Sequence, residues 1–338
     1  MNVLTAPRTT ATRLVGIDAA RALAFGGMLL AHFASSTGST DPGWLRALDN
    51  AADGRAAPLF CLLLGVGAGL LAARGTSDAA FVRRGMVLLG LGLAVWPLID
   101  RVYLILPHYG ILLALFPLVR RMPTRWLLPA AGVAFLLPSA VVAAFGDLGL
   151  RAGGQPSTYA EVLDLPGVLG GILWTGGYPI IGWAGFVLVG AWVVRLPLRS
   201  TATHWALLAG SLAVAATQPL VAAIDGSPFL ASAAHSNQTA WYVLASATAV
   251  AVLAACLLLA DRAGAIVPLG QMALTAYLAH LLLGEALVFP WLDGTDPALA
   301  VQVAVATAVF VGTAVAASAW LTDHRRGPVE TALRALAR

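Results

Sequence analysis

The sequence predicts an all-α, polytopic membrane bundle, and three observations carry that prediction. The chain of 338 residues is 59% hydrophobic and 11% charged, with a mean hydropathy of +0.83; a soluble domain carries roughly 25% charged residues. Apolar runs near the length that crosses a hydrocarbon core recur along it. The 20 basic residues are all arginine, and they gather in alternate loops between those runs. The chain contains no polar linker long enough to separate domains, so 1–338 is expected to form a single transmembrane domain, with 1–13 and 322–338 as its tails.

About ten spans follow in order. The first, 14–34, starts beside Arg13 and holds Arg21 within it. The second, 57–73, lies between Arg55 and Arg74. The third, 85–99, follows Arg83 and Arg84; only Asp100 and Arg101 separate it from the fourth, 102–119, which makes a tight hairpin. Arg120 and Arg121 end the fourth, and the fifth, 126–145, follows Arg125. The segment 161–177 is apolar in patches but broken by Pro166 and glycines. It reads as re-entrant or interfacial, or else as an eleventh span. The sixth, 179–194, ends at Arg195, the seventh, 203–223, follows Arg199, and the eighth, 240–260, stops before Arg262. Spans 266–290 and 298–321 complete the set, the last one ahead of Arg325 and Arg326.

Fifteen arginines fall in loops on the N-terminal side of these spans and four on the other. The positive-inside rule then puts both termini in the cytoplasm, for a multi-pass protein of the cell membrane. A removable signal peptide ending near "AHFASS" would leave an odd number of spans and set Asp18 at the edge of its apolar core. The net charge of +4 therefore reflects topology, and no nucleic-acid partner is expected. Cys61 and Cys256 sit in apolar runs and read as small core residues. The all-arginine, Ala- and Gly-rich composition hints at a bacterial source, where the glycosylation pattern at Asn237-Gln238-Thr239 means little.

Polar side chains inside such spans are costly unless they have partners or a task. Asp18 and Arg21 lie one turn apart and can pair. Arg21 and His32 share a face of the first span, about 16–17 Å apart along its axis. On this topology Arg21 sits towards the cytoplasm and His32 towards the outside. His108, His280 and Glu285 also fall in outer halves of their spans, as do Tyr109, Tyr178 and Trp183, while Asp53 and Arg55 precede the second span on the same side. His204 and His324 belong to inner loops and read as solvated; His235, in an outer loop, has no assigned role. Each of these has a bland reading as well: a structural ion pair, a histidine bonded to a neighbouring helix, an aromatic belt residue. Three histidines at one depth could ligate zinc, but they come from three helices with no close-spaced pair, so no metal is expected.

"RLVGIDAARALAFGGMLLAH" resembles the opening of the transmembrane acyltransferase superfamily, where an Arg and a His separated by ten residues lie on the first helix. "DGRAAPLFCLLLGVGAGLL", "LPHYGILLALFPLVRRMPTRWLL", "GGYPIIGWAGFVLVGAWVVRL" and "PLGQMALTAYLAHLLL" resemble one branch of it. That branch is the bacterial relatives of heparan-α-glucosaminide N-acetyltransferase and the YeiB-like membrane proteins. The resemblance implies transfer of an acyl group, acetyl first, from cytoplasmic acyl-CoA to an extracytoplasmic acceptor, a sugar hydroxyl or amine of an envelope glycan or glycolipid. It points to His32 as general base or acyl carrier, with Asp53 or His280 orienting it. Arg21, oriented by Asp18, would hold the donor together with Arg83 and Arg84, and His108, Tyr109, Tyr178 and Trp183 would face the acceptor. A transporter of a small anionic or lipid-linked solute is the alternative that uses the same buried polar residues.

Overall fold

In a computed structural model, the structure describes residues 13–34, 41–145, 155–224, 227, 229–295 and 297–337, so most of the predicted N-terminal tail lies outside the described residues. Every regular element among them is helical. The chain runs through α1 (Val15–Phe33), α2 (Gly43–Ala52), α3 (Ala56–Ala73), α4 (Asp78–Val95), α5 (Leu106–Ala114), α6 (Phe116–Arg121) and α7 (Thr124–Phe145). It continues with α8 (Tyr159–Leu163), α9 (Leu165–Gly170), α10 (Ile180–Val193), α11 (Thr201–Ala215), α12 (Gln218–Ala222) and α13 (Thr239–Leu258). It ends with α14 (Val267–Gln271), α15 (Ala273–Leu283), α16 (Phe289–Thr295), α17 (Leu299–Asp323) and α18 (Pro328–Leu336).

Helices occupy all ten stretches expected to span. By length and composition, seven of the described helical segments can cross a membrane, or eight if the pair 165–175 and 180–193, bent by 55°, is one span. With the bent pair counted, two expected spans fall outside that set for visible reasons. The first, α1, carries Asp18, Arg21 and His32. The fourth is broken at Leu115, where Pro117 starts α6 afresh, leaving helices of 9 and 6 residues. The bend after α9 falls in the segment that reads from sequence as a re-entrant piece or an eleventh span. It is built from α9, a wide π-helical turn over Gly171–Thr175 and an extended exit at Gly176. The chain is a multi-pass, all-helical membrane protein.

Packing places α1 at the centre. It touches α3, α13, α14, α15 and α17, which is why Ala19, Ala20, Ala22, Ala24 and Phe25 are buried on every side. Small residues let neighbouring backbones meet. A Cβ on Gly65 of α3 would strike the Val187 carbonyl of α10, and one on Gly190 of α10 would strike the Leu62 carbonyl of α3. By contrast α17 presents Val301, Val311 and Val315 outward, as a helix facing acyl chains does.

Loops are tied by single side chains. Gln155 accepts from the Trp96 indole at 2.7 Å and the Leu104 N–H at 2.9 Å, and donates to the Ile99 and Val102 carbonyls at 2.8 and 2.7 Å. Glu285 accepts from the N–H groups of Asp100 and Arg101, which fixes the hairpin between α4 and α5. At the opposite end Glu330 of α18 caps α15, accepting from Leu274 N–H at 2.8 Å and the Thr275 hydroxyl at 2.6 Å.

Candidate functional site

Asp18 lies in the first turn of α1, where the helix dipole favours a carboxylate, and it is 2% exposed. It accepts from both Nε and Nη2 of Arg13, and from Nη1 of Arg21 at 2.9 Å. Two guanidinium groups on one carboxylate leave the cluster with a net positive charge. The Nη2 of Arg21 lies over α3, and a Cβ on Gly67 would come within 3.0 Å of it. A glycine there leaves the guanidinium room, and the Arg21 side chain keeps 29% of its surface exposed. This is a group able to receive a phosphate or a thioester carbonyl.

At the other end of α1, His32 meets His280 of α15. Nδ1 of His32 is 3.1 Å from Nε2 of His280, and the rings lie 5.2 Å apart at 20°. One ring must donate and the other accept, so the pair shares a single proton. Phe25 and Tyr277 pack edgewise on His280 at 5.3 and 5.4 Å and hold its plane. The Tyr277 hydroxyl in turn accepts from Ile105 N–H at 3.3 Å. His32, His280 and Tyr277 thus form a contiguous polar group inside an apolar bundle, with Tyr109 in electrostatic range of it and of Arg21.

Asp53 stands elsewhere than expected. Its carboxylate approaches His235, Oδ1 to Nε2 at 3.7 Å, while His32 pairs with His280. Gly54 makes this possible: its φ of +64° turns the chain into α3, and a Cβ would come 2.9 Å from the Ala234 Cβ. The His235 loop is pinned by Asn237, which accepts from the Trp183 indole at 3.0 Å and the Tyr242 hydroxyl at 3.2 Å and donates to the Gly177 carbonyl. The Asn237 amide is therefore engaged within the fold, and the glycosylation pattern has a packing role. His235 sits in electrostatic range of His32. Desolvation lowers its pKa from the ordinary value, with Asp53 opposing and Arg55 assisting. Nothing in the sequence marks His235 beyond its loop position.

The remaining expected residues divide. His108 is 3% exposed between the edges of Trp96 and Tyr178, and neither ring nitrogen makes a well-formed protein hydrogen bond. It lines a cavity of about 290 Å³ that Trp96, Tyr103, Glu161 and Asp164 also line. Tyr178 is buried behind it, donating to the Tyr103 carbonyl at 3.4 Å. Trp183 is fully buried and anchors the Asn237 loop, a packing task. Arg83 donates to the Ala337 carbonyl after α18 at 3.3 Å. His204, expected in a solvated loop, is buried in α11 with Nε2 donating to the Leu198 carbonyl at 2.8 Å. His324 stacks on Trp320 at 4.0 Å. Among the described residues no three His, Cys, Asp or Glu side chains converge as a metal site would require.

Two family matches together span residues 13–338. Residues 13–223 match the family described as heparan-alpha-glucosaminide N-acetyltransferase, catalytic, and residues 191–338 match one described as a protein of unknown function, DUF418. No curated protein matches the chain.

Proposed function

From the premise that the chain belongs to the heparan-alpha-glucosaminide N-acetyltransferase catalytic family, we propose that it transfers an acyl group, acetyl first, from acyl-CoA on the cytoplasmic side to an extracytoplasmic sugar hydroxyl or amine. The observation that carries this reading is the pairing of His32 with His280 at one end of α1 and of Arg21 with Asp18 at the other. A CoA headgroup cannot cross hydrocarbon, whereas an acyl-pantetheine arm is slender enough to reach between helices from Arg21 towards the histidine pair. Arg21 holds the donor by charge-assisted hydrogen bonds, and Asp18 with Arg13 keeps it aimed.

In the transfer, an imidazole of the His pair takes the proton from the acceptor O–H or N–H as that atom attacks the thioester carbonyl carbon. The new C–O or C–N bond forms, the C–S bond breaks, and the CoA thiolate leaves and receives the proton from the imidazole. In the two-step variant His32 itself carries the acyl group between donor and acceptor. His280 orients His32 and shares its proton in either route, and Tyr109 or Tyr277 can donate to the thioester oxygen. Arg83, which donates to the Ala337 carbonyl after α18, and the adjacent Arg84 supply a wider basic margin for the donor.

The test is acyl-CoA turnover by the detergent-purified chain, read as free thiol released. His32→Ala is expected to lower it by about 10²–10⁴-fold, with His280→Ala costing nearly as much and the double variant little more. Full turnover in His32→Ala removes that histidine from the chemistry. Turnover without a second compartment separates this reading from transport.

A further inference from the structure

We propose that Glu330 of α18 is a positioning residue for the transfer: by clasping the first turn of α15 it sets the rotation that brings His280 against His32. This rests on the acyltransferase reading above and extends the machinery to a helix that carries none of the reacting groups. The observation behind it is a break in the span that holds His280. α14 is seated on α1, since a Cβ on Gly270 would fall 1.8 Å from the Asp18 carbonyl oxygen. Met272 then leaves helical geometry, with φ −110° and ψ 25°, and α15 starts afresh at Ala273. The fixed seat of α14 therefore does not pass along the span to His280.

α18 supplies what the break removes. A new helix start leaves N–H groups without intrahelical acceptors. Oε1 of Glu330 accepts from Leu274 N–H at 2.8 Å and Thr275 N–H at 3.1 Å, while Oε2 accepts from the Thr275 hydroxyl at 2.6 Å. Thr275 returns the bond, its Oγ1 accepting from Val329 N–H at 3.1 Å at the start of α18. Each helix start caps the other. Gly327 permits the approach: a Cβ there would lie 2.7 Å from Thr275 Oγ1 and closer still to Glu330 Oε2. α18 is itself anchored, by Val329 and Leu333 against the main apolar core and by the bond from Arg83 to the Ala337 carbonyl. Beyond His280, α15 runs into the π-helical turn Gly284–Val288, the kind of turn at which helices bend. The clasp is the stiff end. Side chains reach about 5–6 Å from a helix axis, so a rotation of about 10° carries the His280 ring about 1 Å from its place. That stretches the 3.1 Å contact with His32 past hydrogen-bonding length, and a misplacement of about 1 Å costs about 10²-fold in rate.

The test uses the purified full chain in detergent, with Glu330→Ala, Glu330→Gln and Gly327→Ala each made in the parent and in His280→Ala. Hydrogen exchange read by mass spectrometry reports the clasp without any chemistry. Glu330→Ala and Gly327→Ala are expected to speed exchange over 276–283 by at least about tenfold, with α1 and α3 unchanged. Thiol release from acyl-CoA reports the positioning: kcat should fall by about 10–100-fold in both variants, with KM within about twofold because Arg21 is untouched. In the His280→Ala background the same changes should cost less than about twofold, since no ring is left to position. Glu330→Gln keeps Oε1 for both N–H groups and should stay within about threefold of the parent. Each of three results overturns the proposal: unchanged exchange over 276–283, faster exchange across α1 and α3 as well, or equal fold losses with and without His280. A parent chain that releases no thiol counts against the acyltransferase reading instead, and the clasp is then decided by exchange alone.

Discussion

Gly54 and Gly75 both hold positive φ, +64° and +82°, but they differ in what surrounds them. A Cβ on Gly54 would lie 2.9 Å from the Ala234 Cβ and 3.2 Å from the Trp241 indole nitrogen, whereas nothing lies within 4 Å of one on Gly75. Gly75→Ala therefore adds only backbone strain, about 1–2 kcal/mol. Gly54→Ala adds the same strain plus an overpacking cost of about 1–3 kcal/mol, because neither Ala234 nor the buried Trp241 can swing aside. Taking about 2–4 °C per kcal/mol, Gly54→Ala should melt about 4–20 °C lower than the parent and Gly75→Ala about 2–8 °C lower. Cys61 and Cys256 are both buried, so a maleimide dye that fluoresces on reaction with exposed thiols reports unfolding directly. Equal losses in the two variants would refute the claim that Gly54 is a point of close approach, and with it the account of how Asp53 reaches His235.

Two further predictions concern charge. Asp18→Asn keeps the shape but leaves two guanidinium groups around a neutral amide, and should cost about 3 kcal/mol in the same melting assay, the low end for a buried pair because both arginines are part-exposed; Arg13→Ala, at a half-exposed position, should cost less, and the reverse order would sink the pairing. His235 has a folded pKa below its unfolded value, so the unfolded chain binds more protons between the two. Its contribution makes the fold less stable as pH falls from the ordinary imidazole pKa of about 6.5 through the lowered one. Asp53→Asn removes the one influence that raises this pKa, so the imidazole resonance of His235 should titrate at still lower pH. A midpoint that rises in Asp53→Asn contradicts the contact.

Span positions are readable from sequence because lipid-facing and core-facing residues are both apolar, which makes run length the dominant signal. What breaks the reading is local: Pro117 restarts a helix inside one expected span, whereas the bend at the glycines around 171–177 falls where the sequence already reads as a re-entrant piece or an extra span. The pairing of Asp18 with Arg21 is legible since one helical turn brings them together. His32 and His280 can be set at one depth, but contact between residues 248 apart depends on how α1 and α15 pack. Asp53 meets a different histidine from the one expected for the same reason, as its partner sits in a loop held by Asn237, whose hydrogen bonds run to three separate positions. Gln155, with four bonds to one hairpin, lies in an irregular stretch that carries no periodicity to mark it.

The seam between α3 and α10, where Gly65 and Gly190 bring main chain against main chain, constrains how the molecule can move. Rotamer changes cannot loosen the points where backbones meet directly, so sliding there would drive the Val187 and Leu62 carbonyl oxygens against the opposing glycines. Across α1 the opposite flank is softer, since Gly26 rests against the ring of Phe310 in α17, and a phenyl group can turn. Any breathing that admits a bulky molecule therefore belongs to the α17 flank, with the α3–α10 half as the fixed frame.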